Sequence, residues 1–305
     1  MAKSNSFAWQ LRILIMVLAA GGSFWFGITL PFKQSSSQSI PLKDSLMSLK
    51  SKVNSNNQIE AATLEIESQD IFTHLSTRLV NLEKEYNFTV PAYFQSKTIE
   101  NVALASGEKV IALTFDDGPW PKSTNDVLYI LDKYQVKATF FVVGRNVQNY
   151  PQLMQKIVKH GHALGNHSWN HYYHYHNPSA AAREIDNTTA RVYKTTGVKM
   201  SLFRPPGGVL NNGLANYARK KKQVVVMWDA DSQDYRVSAR ALKSNVLRYA
   251  KPGGIVLMHD GGGDRSRTVS VLPEIISELK KQGYRFVTVP ELLEMKMQEL
   301  KEIQG

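Results

Sequence analysis

The chain has 305 residues, no cysteine and a formal net charge of +11. Its 43% hydrophobic content allows a sizeable buried core, which excludes a wholly disordered chain. The missing cysteines exclude disulfides, thiolate metal sites and thiol nucleophiles, so any metal must be held by nitrogen and oxygen.

The positive charge favours an anionic partner such as a membrane surface or a wall polymer. No RNP, zinc-knuckle or helix-turn-helix pattern accompanies it, and the one dense basic run, residues 219–222, ends a predicted helix where cations suit the dipole. Nucleic acid is therefore not expected as a partner.

Residues 1–12 form a short N-terminal tail. Residues 13–32, ILIMVLAAGGSFWFGITLPF, carry no charge over about 20 positions, the length a helix needs to cross a hydrocarbon core. They are expected to be a transmembrane signal anchor. Lys3 and Arg12 before it favour a cytoplasmic tail and an exported remainder, a single-pass protein of the plasma membrane, although Lys33 and Lys43 weaken the asymmetry. The alternative is a cleaved signal peptide and a secreted protein, since Ala19-Ala20-Gly21-Gly22 offers small residues; against it, the apolar run continues past them.

Residues 33–100 read as a linker or stalk. SSSQS is linker composition, then Leu42, Leu46, Leu49 and Val53, and later Ile71, Leu75, Leu79, Leu82 and Tyr86, fall at helical spacing. These suit short amphipathic helices of a spacer; a dimerising coiled coil needs more heptads, and the oligomeric state is left open.

Residues 101–305 form the last domain. Short apolar runs alternate with amphipathic stretches: VIALTF, ATFFVVG, HALGNHS, SLFRPP, QVVVMWD, GIVLMHD and RFVTVP. This is α/β patterning with parallel strands. Seven such units, with no GxGxxG after the first strand, predict an irregular (β/α) barrel and not an open doubly wound sheet.

In a barrel the reacting groups stand at the C-terminal ends of strands. VIALTF ends in Asp116-Asp117-Gly118-Pro119, HALGN in His167 with His171 four residues on, SLF in Arg204, QVVVMW in Asp229, Asp231 and Asp234, and GIVLM in His259-Asp260. Taken singly each has a bland explanation: DDGP suits a tight turn, two histidines suit a solvated surface, and aspartates cap helices. Capping and turns do not call for imidazoles and carboxylates at successive strand ends, so a shared site is expected. Two histidines at i, i+4 can reach one ion from a single turn, and one carboxylate completes a His2Asp set with positions left for water or substrate, as in a catalytic divalent metal site with zinc the default. Of two adjacent aspartates one can ligate while the other takes a proton, and His259 across the barrel mouth is the candidate acid.

These residues closely resemble the polysaccharide deacetylase family, the NodB-homology domains of carbohydrate esterase family 4, over roughly residues 105–295 and through five motifs in order. TFDDGP at residues 114–119 resembles the first, which implies Asp116 as general base and Asp117 as metal ligand. HSWNH at 167–171 resembles the second and implies His167 and His171 as the other ligands, Zn2+ being the first choice and Co2+ or Ni2+ alternatives. His174 and His176 lie outside it and are expected in a solvated or substrate-facing loop.

RPPGG at 204–208 resembles the third motif; the resemblance implies that Arg204 pairs with the catalytic aspartate and that a backbone N–H, at Gly207, binds the oxyanion. Many relatives carry tyrosine where Gly207 stands, so the wall that ring supplies is lost. DSQDY at 231–235 resembles the fourth, with Tyr235 in place of the commoner tryptophan beside the acetyl pocket. LMH at 257–259 resembles the fifth and implies Leu257 in the methyl pocket and His259 as the acid. Asp231 is preferred over Asp234 as the aspartate that orients His259.

The resemblance implies a metal-dependent N-deacetylase acting on an acetylated polysaccharide outside the cytoplasm, peptidoglycan or a chitin-like N-acetylglucosamine polymer first. An O-acetyl esterase on acetylxylan is the alternative enzyme. An inactive glycan-binding module is the alternative of another class, although no ligand, base or acid is missing.

Overall fold

The computed structural model describes residues 71, 73 and 89–304. The predicted membrane segment and most of the linker lie outside them; among the described residues no helix is long and apolar enough to cross a membrane. The chain divides after Gln69 into two units, and the strands and helices of the fold belong to the second.

In chain order the elements are β1 (Thr98–Ile99), β2 (Val110–Asp116), α1 (Ser123–Lys133), β3 (Thr139–Val142), α2 (Gly144–Asn149), α3 (Pro151–Lys159), β4 (Ala163–Asn166) and α4 (Pro178–Thr196). There follow β5 (Leu202–Phe203), α5 (Leu214–Lys220), β6 (Val224–Val226), β7 (Ala230–Asp231), α6 (Ala239–Tyr249), β8 (Gly254–His259), α7 (Ser266–Lys281), β9 (Arg285–Phe286) and α8 (Val289–Gln304). The sheet runs β1-β6-β5-β4-β3-β2-β8-β7 with β9 on β2, and its strand pairs are parallel. Each of the seven apolar runs forms a strand.

Strand β2 is buried along its whole length, as both faces of a parallel sheet must be. Its side chains alternate with period two. Ile111, Leu113 and Phe115 join the core made with the outer helices, where Leu128, Met154, Ile157, Leu272 and Ile276 cover the sheet. Val110 and Ala112 join a second core with Phe141, Leu202, Val226 and Ile255. Asp116 has the parity of Val110 and Ala112, and His259 that of Ile255, so the alternation that builds the core also aims both inward.

Two features depart from the sequence expectation. The run QVVVMWD is strand only over β6, which pairs with β5 and β1, and the residues just beyond it form a further strand, β7, which pairs with β8. A single bent stretch thus runs from β6, the neighbour of the edge strand β1, to β7 at the opposite edge of a curled sheet, a barrel incompletely closed by hydrogen bonds. Residues 89–100, placed in the linker by sequence, contribute β1 and the buried Val90 and Phe94, which pack with Leu292 and Leu293 of α8 in the second core.

Candidate active site

Asp116 ends β2 and is 3% exposed. Its Oδ1 accepts a 2.7 Å hydrogen bond from Arg204 Nη1. Arg204 follows β5 and is wholly buried, which a guanidinium tolerates only when its donors are used. Four of the five are: Nη1 also donates to Thr114 Oγ1 at 2.7 Å, Nε to Val226 O and Nη2 to Met227 O at 3.0 Å each. The guanidinium lies 4.0 Å from the Phe141 ring centre.

Asp117 sits in the left-handed region, φ 75°, so the chain reverses and its carboxylate leaves the direction set by Asp116. Its Oδ1 lies 3.4 Å from His167 Nε2 and 3.0 Å from His171 Nε2. The histidines do not share a helical turn as their spacing suggested. They stand on an irregular loop with Ser168 and His171 left-handed, φ 67° and 61°, whose shape is fixed from both sides. Asn166 Oδ1 accepts from Ser168 N, Ser168 Oγ from His171 N, and the buried Glu184 of α4 accepts from Trp169 N and Asn170 N.

These three side chains fit a divalent metal. His167 Nδ1 lies 2.7 Å from Arg204 O, an acceptor, so Nδ1 carries the proton and Nε2 turns a lone pair toward Asp117. Asp117 Oδ1 is buried without a hydrogen-bond donor. A buried carboxylate oxygen facing the His167 lone pair, with His171 Nε2 beside it, calls for a cation between them. The 3.0 and 3.4 Å separations match the edge, roughly 3.4 Å, of a tetrahedron whose corners lie about 2.1 Å from a metal. Among the described residues this is the one such group of three or more candidate ligands.

His259 ends β8, and its orienting partner is Asp234, not Asp231. Its Nδ1 lies 2.7 Å from Asp234 Oδ1, and its N–H donates to Oδ2 of the same carboxylate at 2.8 Å. Thr268 Oγ1 donates to that Oδ2 as well. Asp231 instead accepts from Gln233 N and faces the Tyr235 hydroxyl at 3.5 Å. The turn this makes, with Gln233 at φ 56°, carries Asp234 under the imidazole. Burial opposes charge on His259, but Asp234 prevails, helped by the charges of Asp116 and Asp117, and lifts its pKa above the ordinary value.

Gly207 and Leu257 line the same cleft of about 610 Å3, and Tyr235 stands at its edge with its ring edge-on to His259 at 5.8 Å. Gly208 N and Val209 N bond Pro205 O and Pro206 O, leaving the Gly207 N–H free for a ligand. Nine of the ten residues expected from sequence therefore line one cleft, Asp231 with different partners from those expected, and the tenth, Arg204, is buried behind it on Asp116.

Of the loop histidines, His174 is exposed as expected, but His176 is 4% exposed. It turns inward with its N–H on Asn212 O, one residue before the cap of α4 at Asn177. Arg265, Trp120 and Tyr173 also line the cleft, and nothing in their spacing announced it. Asp260 is wholly buried behind Gly118, and burial, with the charges of Asp116 and Asp117 adding to it against a hydrogen bond from Thr124, pushes its carboxyl up to about 7.

Comparison with known proteins agrees with this geometry. The family described as polysaccharide deacetylase matches residues 103–226. A peptidoglycan-N-acetylglucosamine deacetylase of Bacillus cereus is 45% identical over 195 residues, covering 63% of this chain and 91% of that protein. PdaC of Bacillus subtilis, a peptidoglycan-N-acetylmuramic acid deacetylase, is 38% identical over 193 residues, covering 63% of this chain and 40% of that longer protein. The solved Bc1960 peptidoglycan N-acetylglucosamine deacetylase, in complex with a 4-naphthalen-1-yl-N-oxidanyl-benzamide, superposes with a TM-score of 0.61 at 31% identity, covering 65% of this chain and 92% of that one. A relative this similar, matched over nearly its whole length and sharing the curled parallel sheet, leaves one conclusion: the chain belongs to the polysaccharide deacetylase family.

Proposed function

We propose that the chain removes acetyl groups from N-acetylglucosamine in peptidoglycan, outside the cytoplasm, tethered through residues 13–32 and using a divalent metal, zinc first. The observation that carries this is the convergence, on one cleft, of the Asp117–His167–His171 group with two separately supported pairs, Arg204–Asp116 and Asp234–His259. The names of the similar proteins and the positive net charge, suited to an anionic wall polymer, support the substrate.

A cation held by Asp117, His167 and His171 would polarise the acetyl carbonyl and acidify a water beside it. Asp116, one oxygen tied to Arg204 and the other 3.6 Å from His167 Nε2, takes the proton of the attacking water. The oxyanion that forms on the acetyl carbon accepts from the Gly207 N–H. His259 gives a proton from Nε2 to the sugar nitrogen as the C–N bond breaks, its Nδ1 held by Asp234 throughout. Leu257 receives the methyl group, and acetate and the free amine leave.

The test is acetate release by the purified full chain from N-acetylglucosamine oligomers, peptidoglycan and acetylxylan, with metal, with chelator and with Asp116→Asn. Release from the amide substrates should vanish with chelator and fall at least about 100-fold in the variant. Release from acetylxylan alone would replace the amidase by an esterase, and glycan binding without any acetate would leave a binding module.

A further inference from the structure

Three consecutive aromatic or imidazole positions follow the metal-site loop with exposed rings, and Tyr175 follows them: Tyr172 is 45% exposed, Tyr173 58% and Tyr175 72%. Only Tyr173 of the three tyrosines lines the cleft. An exposed tyrosine is ordinarily mobile, but the backbone beneath this one is held at three points. His171 N bonds Ser168 Oγ, Asn212 Nδ2 donates to the Tyr173 carbonyl at 3.3 Å, and His176 N donates to Asn212 O at 2.7 Å.

The ring itself rests on two parts of the site. It meets the His171 imidazole edge-on, with centres 5.2 Å apart and planes at 75°. Its other contact is Gly207: a Cβ placed there would lie 2.7 Å from Tyr173 Cε1 and 3.0 Å from Cδ1. The glycine is thus what makes room for this ring, at the residue whose N–H is proposed to bind the oxyanion. On the other side Tyr235 leans on His259 in the same edge-on manner.

We infer that Tyr173 is a substrate-contacting residue that sets specificity for a polymer: its ring stacks on a pyranose of the glycan chain next to the acetylated residue being cleaved. Pyranose rings present a face of C–H groups that suits the negative face of an aromatic ring while their hydroxyls stay in water. A ring on a fixed backbone supplies that contact at small entropic cost, and the half-exposed position of Tyr173 is what a one-sided stack requires. The inference deepens the deacetylase reading and rests on it.

The experiment compares the metal-loaded full chain with Tyr173→Ala and Tyr173→Phe on N-acetylglucosamine dimer and pentamer, with metal affinity measured for each. Tyr173→Ala should raise KM for the pentamer about tenfold, the scale of one lost aromatic anchor, with kcat and metal affinity little changed. Tyr173→Phe should keep the wild-type KM, since the ring and not the hydroxyl makes the contact, and the pentamer's advantage over the dimer should shrink only in the alanine variant. Gly207→Ala, whose methyl displaces the ring, should raise KM in the wild type but add little to KM on Tyr173→Ala. An unchanged pentamer KM in Tyr173→Ala, or equal losses in both tyrosine variants accompanied by weaker metal binding, overturns the inference in favour of packing against His171. Pentamer binding to Asp116→Asn with and without Tyr173→Ala separates this from failure of the deacetylase reading: acetate absent while the alanine still weakens binding about tenfold keeps Tyr173 in its role, and binding that ignores the alanine, or a wild type that does not bind, removes it.

Discussion

At the residue scale, the acid half of the site depends on which aspartate sits beneath His259. Both Asp231 and Asp234 follow the same strand at spacings that reach the barrel mouth, so residue type and distance along the chain do not separate them. What separates them is an Asx turn closed by Gln233 N on Asp231 Oδ1, a local hydrogen bond that spends Asp231 on the backbone. The consequence is measurable. In the proposed mechanism the acid form of His259 is the working one, and Asp234 raises its pKa, so activity should persist above the ordinary imidazole range and fall as pH rises through the lifted value. Asp234→Asn keeps the shape but removes the charge, so the alkaline limb of the kcat/KM profile should move to lower pH with kcat reduced. Asp231→Asn should leave that limb in place, and the two profiles side by side check the assignment.

At the scale of elements, the strands were legible because a buried parallel strand is a short apolar run and the chain has seven of them. Strand β1 was not, because two residues, Thr98 and Ile99, carry no pattern. The HSWNH loop was legible as a ligand pair for a reason the structure replaces: the histidines meet through left-handed backbone at Ser168 and His171, not on one helical face. Such backbone persists only where its surroundings hold it, and Glu184, with one oxygen on two backbone N–H groups and the other on Asn170 Nδ2, is the main hold. Glu184→Ala leaves those part-buried donors unpaired. Metal affinity should fall about 10- to 100-fold, the usual effect of losing a support behind a ligand, with activity partly restored at high metal concentration; titration with Zn2+ or Co2+ checks it.

At the scale of the molecule, the domain begins earlier than its motifs. The sequence placed the boundary at residue 101 because the alternating pattern starts there, whereas Val90 and Phe94 are buried with α8 in the inner core. A chain starting at residue 89 should melt as a cooperative unit. One starting at residue 105 also loses Val102 and β1 and should melt at least about 5 °C lower, since burying each such apolar side chain is worth roughly 1.5–3 kcal/mol and each 1 kcal/mol shifts a domain this size by about 2–4 °C.

The bent stretch from Val224 to Asp231 has a wider consequence for how such a chain can vary. Val226 and Met227 give their carbonyls to Arg204, which holds Asp116; three residues beyond Asp231 comes the carboxylate that holds His259; and the stretch itself leads from the neighbour of one edge strand to the opposite edge of the sheet. One inserted or deleted residue between them would shift the register of base support, acid support and closure together. Length there is as constrained as residue identity is at the site, while the exposed faces of the helices to either side carry no such constraint.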